Sequence, residues 1–163
     1  MRKVSVLFTQ QHDWFSTFLQ KCMKHDYSHV SLSLDEPQNE FYSFNVRGFA
    51  RETFEKFRRR HVQKSLLYEI EVSDSVYAQM KEQIEALKRR QQEMKYAFLG
   101  IAFCLFHIPF HLKQQFFCSE FVADMLLSSN ALRLSKKPSL YLPEHLRAEL
   151  DQRLGGYTLA DVI

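Results

Sequence analysis

Phe116-Phe117-Cys118-Ser119-Glu120-Phe121-Val122-Ala123-Asp124-Met125-Leu126 is the stretch on which the fold turns. Phe121, Val122, Met125 and Leu126 follow Cys118 at three, four, seven and eight positions, the spacing of one helix face. A helix starting at Cys118 sets the sulfur at its N-terminus, where unpaired amides and the helix dipole favour a thiolate. The same end offers a backbone N–H to an oxyanion. The spacing also turns Cys118 toward the buried side, so that it meets a sheet. Position alone fits an inert core cysteine equally well.

Upstream, Ser28-His29-Val30-Ser31-Leu32-Ser33-Leu34 alternates strictly, which predicts a half-buried strand with Val30, Leu32 and Leu34 on one face and His29, Ser31 and Ser33 on the other. Residues 41–46 alternate again, so 28–46 reads as a β-hairpin with a turn over 35–39. Further strands are expected at 4–8, 66–72 and, after Gly155-Gly156, 157–159. Helices are expected over 12–24, over 49–60, from the Ser73-Asp74 cap to Glu93, and from Pro143 onward. Tyr96 to Phe110 is the most apolar stretch and reads as a buried helix, too short to span a bilayer; an interfacial membrane contact is the alternative. Without repeats or low-complexity linkers, residues 1–163 read as one α+β domain.

Composition narrows the function. The 163 residues include 15 Phe, 4 Gly and 4 Pro, with a net charge of +3. This is an ordered chain with a thick core or an apolar groove. Lys and Arg are interleaved with Asp and Glu, and the runs at 58–61 and 89–90 are local, so no nucleic-acid partner is expected. Cys22, Cys104 and Cys118 show no CxxC spacing. They suggest a reduced, cytoplasmic setting, with Cys22 and Cys104 in the core. The N-terminus lacks the apolar run of a signal peptide. His107 and His111 are separated by Pro109 with no carboxylate beside them, so neither a metal nor another cofactor is expected.

A nucleophilic cysteine needs an imidazole to take its proton and return it to the leaving group, and a third group to orient that imidazole. His29 is the natural partner, set among small serines that allow close approach. Ser43, Asn45 and Glu40 are the candidates for the third group. The choice depends on a strand register that the pattern leaves open. Tyr27, just before the Ser-His pair, either lines the site and assists an oxyanion or packs on the surface.

SHVSLSL, FYSFNVRG and FFCSEFVADML together resemble the circularly permuted branch of the NlpC-type papain-like hydrolases, the YiiX-like proteins, and PSLYLPEHL resembles their closing segment. The resemblance implies a central antiparallel sheet packed against the nucleophile helix, with Cys118 as nucleophile and His29 as base. Its third residue is often a glutamate on the strand after the histidine, and the matching position is Ser43. A serine can orient an imidazole but cannot offset imidazolium charge.

The expected activity is that of a cysteine peptidase or amidase acting on a peptide-like or acylated small substrate. One alternative is a lipid acyltransferase or deacylase using the same thiol, with the Phe-rich segment as its groove. Another is a binding module that keeps the fold without the chemistry, for which the absent glutamate speaks. A transient membrane or lipid contact is the remaining partner reading; no feature sets an oligomeric state.

Overall fold

The computed structural model describes residues 1–24, 26–34, 39–156 and 158–159. The expected turn falls largely outside them, at 35–38, as does Tyr157. β1 (Arg2–Thr9) is the spine of an antiparallel sheet, paired on one side with β2 (His29–Ser33) and on the other with β5 (Ser65–Val72). β3 (Phe41–Asn45) and β4 (Gly48–Glu52) extend it past β2, and β8 (Thr158–Leu159) adds to β5. The order is β4-β3-β2-β1-β5-β8, and the class is α+β.

Strand alternation builds two unequal cores. Val4, Val6, Phe8, Val30, Leu32, Tyr42, Phe44, Tyr68 and Ile70 form the larger. They meet apolar residues of α1 (Trp14–Met23), α3 (Asp74–Arg89), α4 (Phe98–Leu105), α5 (Cys118–Ser128) and α6 (Pro143–Leu154). The opposite face carries a small cluster of Leu7, Phe41, Phe57 and Val62, under α2 (Phe54–Arg59). β2 is therefore buried on both faces, not half-buried as its alternation suggests. Serine is small enough to let the second layer close over Ser31 and Ser33.

Four sequence expectations change. The helix expected over 49–60 is instead β4 followed by α2, because Thr53 caps the latter, its hydroxyl accepting from the Lys56 N–H. The long helix ends at Arg89, and a 3-10 turn covers Gln91–Glu93. The apolar stretch is helical only over Phe98–Leu105, ending where His107 takes φ 57°. Cys22 is exposed, whereas Cys104 is buried; α1 turns Leu19 inward and leaves Cys22 at its outer edge. Among the described residues, no helix is long and apolar enough to cross a membrane.

A short parallel pair joins β6 (Lys95–Tyr96) to β7 (Gln115–Phe116), directly before α5. Gly48 locks the β3–β4 hairpin against it: φ is +102°, and a Cβ there would lie 2.3 Å from the Met94 carbonyl oxygen. Gly48→Ala is accordingly expected to lower stability by about 2 kcal/mol or more. Thermal denaturation tests this, and an unchanged midpoint would show that the contact yields freely.

Candidate active site

The β2–β3 register, left open by the sequence, pairs Leu32 with Tyr42. His29, Ser31 and Ser33 therefore share a face with Phe41, Ser43 and Asn45. β4 pairs Phe41 with Glu52 and Ser43 with Ala50, so Glu52 joins that face. His29 Nε2 lies 2.8 Å from Glu52 Oε2, with the histidine side chain 6% and the glutamate side chain 1% exposed. Arg60, at the end of α2, donates to Glu52 Oε1 at 3.1 Å. The Cys118 side chain is the other group that acts on the imidazole, through hydrogen bonding and charge that favour its protonated form. Nε2 is the ring nitrogen that the buried carboxylate takes.

Burial alone would lower the His29 pKa, but the Glu52 carboxylate and the Cys118 sulfur outweigh it and hold the ring well above the ordinary imidazole value. Burial alone would raise Glu52; His29 and Arg60 overcome that and lower it. Two charges so deeply buried persist only because each satisfies the other.

The helix start is held as firmly. Cys118 is the first residue of α5. Glu120 accepts from the Phe117 N–H at 3.3 Å and engages His111 Nδ1 at 2.9 Å. Phe121, one turn on, lies 5.3 Å from the Phe44 ring and 5.9 Å from Phe49, centroid to centroid. This aromatic contact fixes α5 against β3 and β4.

Beside His29 opens a cavity of about 850 Å³. Its buried lining includes Gln11, Ser28, Phe44 and Tyr96, and its exposed lining is basic, with Arg47, Arg51, Lys56 and Arg60. Tyr96 is pushed well above its usual pKa by burial and by negative charge at Cys118 and Asp13, so its phenol keeps its proton. Cys118 itself is 3% exposed. Gln11 is 6% exposed, and its Nε2 has no hydrogen-bond partner among the described residues. Its backbone is fixed: Gln11 N donates to Ser28 Oγ at 3.1 Å, and its carbonyl accepts from Gln20 Nε2 at 3.2 Å.

The structure thus brings Cys118 and His29 together and leaves the three orienting candidates elsewhere. Ser43 shares the face of His29, but its hydroxyl donates to the Val30 carbonyl at 2.5 Å. Asn45 Oδ1 accepts from the Arg47 N–H at 2.8 Å and shapes the hairpin turn. Glu40 accepts from Tyr42 at 2.8 Å and from Arg51 at 2.9 Å. Tyr27 packs half-buried against the main core. Glu52 takes the orienting place. It was missed because 49–60 reads as one helix. The available signal was the alternation Gly48-Phe49-Ala50-Arg51-Glu52 ahead of a threonine cap. Gln11 gives no sequence signal at all. Among the described residues, no group of three or more His, Cys, Asp or Glu side chains could hold a metal ion. Neither the protein-family models nor the curated proteins include a match to this chain.

The buried pair sets a pH dependence. His29, raised, contributes stability fully below about pH 6.5 and loses it as pH climbs through its elevated value. Glu52, lowered, contributes fully above about pH 4.5 and loses it as pH falls through its depressed value. The stability gap between wild type and Glu52→Gln should therefore be widest between about pH 4.5 and 6.5, at about 3 kcal/mol. Denaturant titrations across pH 3 to 10 read this (about one unit apart suffices); a gap independent of pH would contradict the pairing.

Proposed function

We propose that this protein is a cysteine hydrolase of papain-like, permuted NlpC-type architecture, cleaving an amide bond through Cys118, His29 and Glu52. The observation that carries the reading is a buried imidazole bonded to the Glu52 carboxylate and favoured in its protonated form by the Cys118 side chain. In the first half-reaction His29 takes the thiol proton, and Cys118 Sγ attacks the amide carbonyl carbon to form a C–S bond. The C–N bond then breaks as His29 returns the proton to the amine, which leaves. Water, deprotonated by His29, attacks the thioester in turn. The C–S bond breaks, the acid departs, and the proton returns to sulfur. Glu52 is a positioning residue. It orients the ring and favours the imidazolium formed in each half-reaction, while Arg60 holds Glu52.

The tetrahedral oxyanion needs donors already in place. The α5 N-terminus supplies backbone N–H groups, and Gln11 supplies a buried amide with its donors free. Each such donor is worth about a hundredfold in rate. Phe15, Phe44 and Phe49 give the cavity an apolar wall beside an arginine- and lysine-bearing mouth. This combination suits an N-acyl compound whose amine portion carries a carboxylate. The apolar wall also supports transfer or removal of a lipid acyl group by the same thiol.

Iodoacetamide is expected to label Cys118 in the folded protein, with the rate falling at least about tenfold in His29→Ala. A rate unaffected by His29→Ala would dissolve the pair. With N-acyl amino acids as substrates, Gln11→Ala should lower kcat by about a hundredfold with little change in KM. Glu52→Gln should lower kcat and reshape its pH profile, whereas Ser43→Ala should leave that profile alone. The converse pattern would assign the orienting role to Ser43.

A further inference from the structure

α4 is apolar on both sides. Gly100, Ile101 and Cys104 are buried against the core, as a helix of this size requires. Its outer side, where polar residues normally meet water, instead presents Phe98, Leu99 and Leu105, at 48%, 58% and 37% exposure. The chain that follows continues the pattern, with Phe106 at 77%, Ile108 at 47% and Leu112 at 36%. Most of the exposed large hydrophobic residues described in the protein fall in this one segment. Scattered exposed hydrophobic residues are ordinary on a protein surface; a contiguous patch marks a contact.

The surrounding charge identifies the partner. From Met94 to Ser119 the sequence has no Asp or Glu, and its fixed charges are Lys95 and Lys113, both exposed. The Pro138–Leu140 turn packs on α4, and the acid-free stretch before it brings Arg133, Lys136 and Lys137, all exposed. The nearby carboxylates have partners of their own: Glu120 engages His111, Glu93 meets Arg90 and Gln114, Asp13 caps α1 through Ser16, and Glu144, next to the His145 that faces His107, pairs with Arg147. An apolar ridge flanked by lysines and arginines is complementary to an anionic lipid surface, where side chains enter the acyl boundary and cations meet headgroups.

We infer that the Phe98–Leu112 ridge docks this protein on an anionic membrane surface. The ridge adjoins the cavity: Phe98 lies 5.5 Å from Phe15 and 5.0 Å from Tyr96, ring to ring, and both line it. Docking does not rest on the hydrolase reading and needs no chemistry at Cys118.

Flotation of the full chain with vesicles tests this, comparing pure phosphatidylcholine with a mixture in which phosphatidylserine replaces about a third of the lipid. Binding is expected to the mixed vesicles, about tenfold or more above the neutral ones, and to weaken with salt. Phe106→Ser with Ile108→Ser should remove about tenfold or more of it, and Lys136→Glu with Lys137→Glu should erase the preference for phosphatidylserine. Cys118→Ala should bind as wild type. All four positions of the charge and ridge variants are at least 47% exposed or on the surface, so circular dichroism should be unchanged. Absence of binding to the mixed vesicles would overturn the inference. Binding unaffected by the ridge variant would do so too, as would a dimer in solution that the ridge variant splits without any lipid association.

Discussion

A carboxylate removed from water is tolerated only where positive charge meets it. In this protein Glu52 is met from two directions, by the His29 ring and by Arg60. That requirement ties together three pieces of chain distant in sequence: the start of β2, the end of β4 and the end of α2. Glu52 holds the ring at Nε2, and the Cys118 side chain at the start of α5 acts on the same ring. The aromatic contacts among Phe44, Phe49, Phe116 and Phe121 set the height of α5 over the sheet. Packing places the sulfur, and charge places the imidazole.

Arg60 has a role that its exposure conceals. Its side chain is 41% exposed, yet it contacts the carboxylate of a side chain that is 1% exposed. The basic mouth of the cavity and the buried pair therefore share a side chain, and a ligand carboxylate that draws Arg60 outward would weaken its hold on Glu52. Charge at the cavity mouth and the hold on the imidazole's carboxylate partner are linked through that one residue. Glu120 plays the analogous part on the other side of the site, joining His111 on the surface to the first turn of the nucleophile helix.

The legible parts of the sequence were those with a clean period. The alternation in β2 and β3 and the helical spacing after Cys118 gave their elements, and the apolar runs gave β1 and β5. What stayed hidden depended on pairing between elements. Ser43 does lie on the face of His29, as one of the two possible registers required, but a carbonyl on the neighbouring strand claims its hydroxyl. Glu52 was invisible because Phe49, Phe54 and Phe57 lend a helical look to residues that are strand, cap and helix in turn. Gln11 follows a strand without any pattern of its own. Cys22 was misplaced because α1 is only shallowly docked, leaving Phe18 at 54% exposure as well.

The β6–β7 pair gives the chain a closed circuit. Lys95 sits opposite Gln115 and Tyr96 opposite Phe116, so the path that leaves the sheet side after Met94 returns beside its own departure point. Everything between, α4 and the apolar ridge included, is an excursion whose two ends meet at the threshold of the nucleophile helix. The entropy of closing such a loop grows only with the logarithm of its length. The exposed side of the excursion can therefore change, and its loop after α4 lengthen or shorten, while the buried side of α4 keeps its core contacts and the register of Phe116 stays put. In evolutionary terms, the exposed surface of this excursion is free to drift independently of the Cys118, His29 and Glu52 constellation.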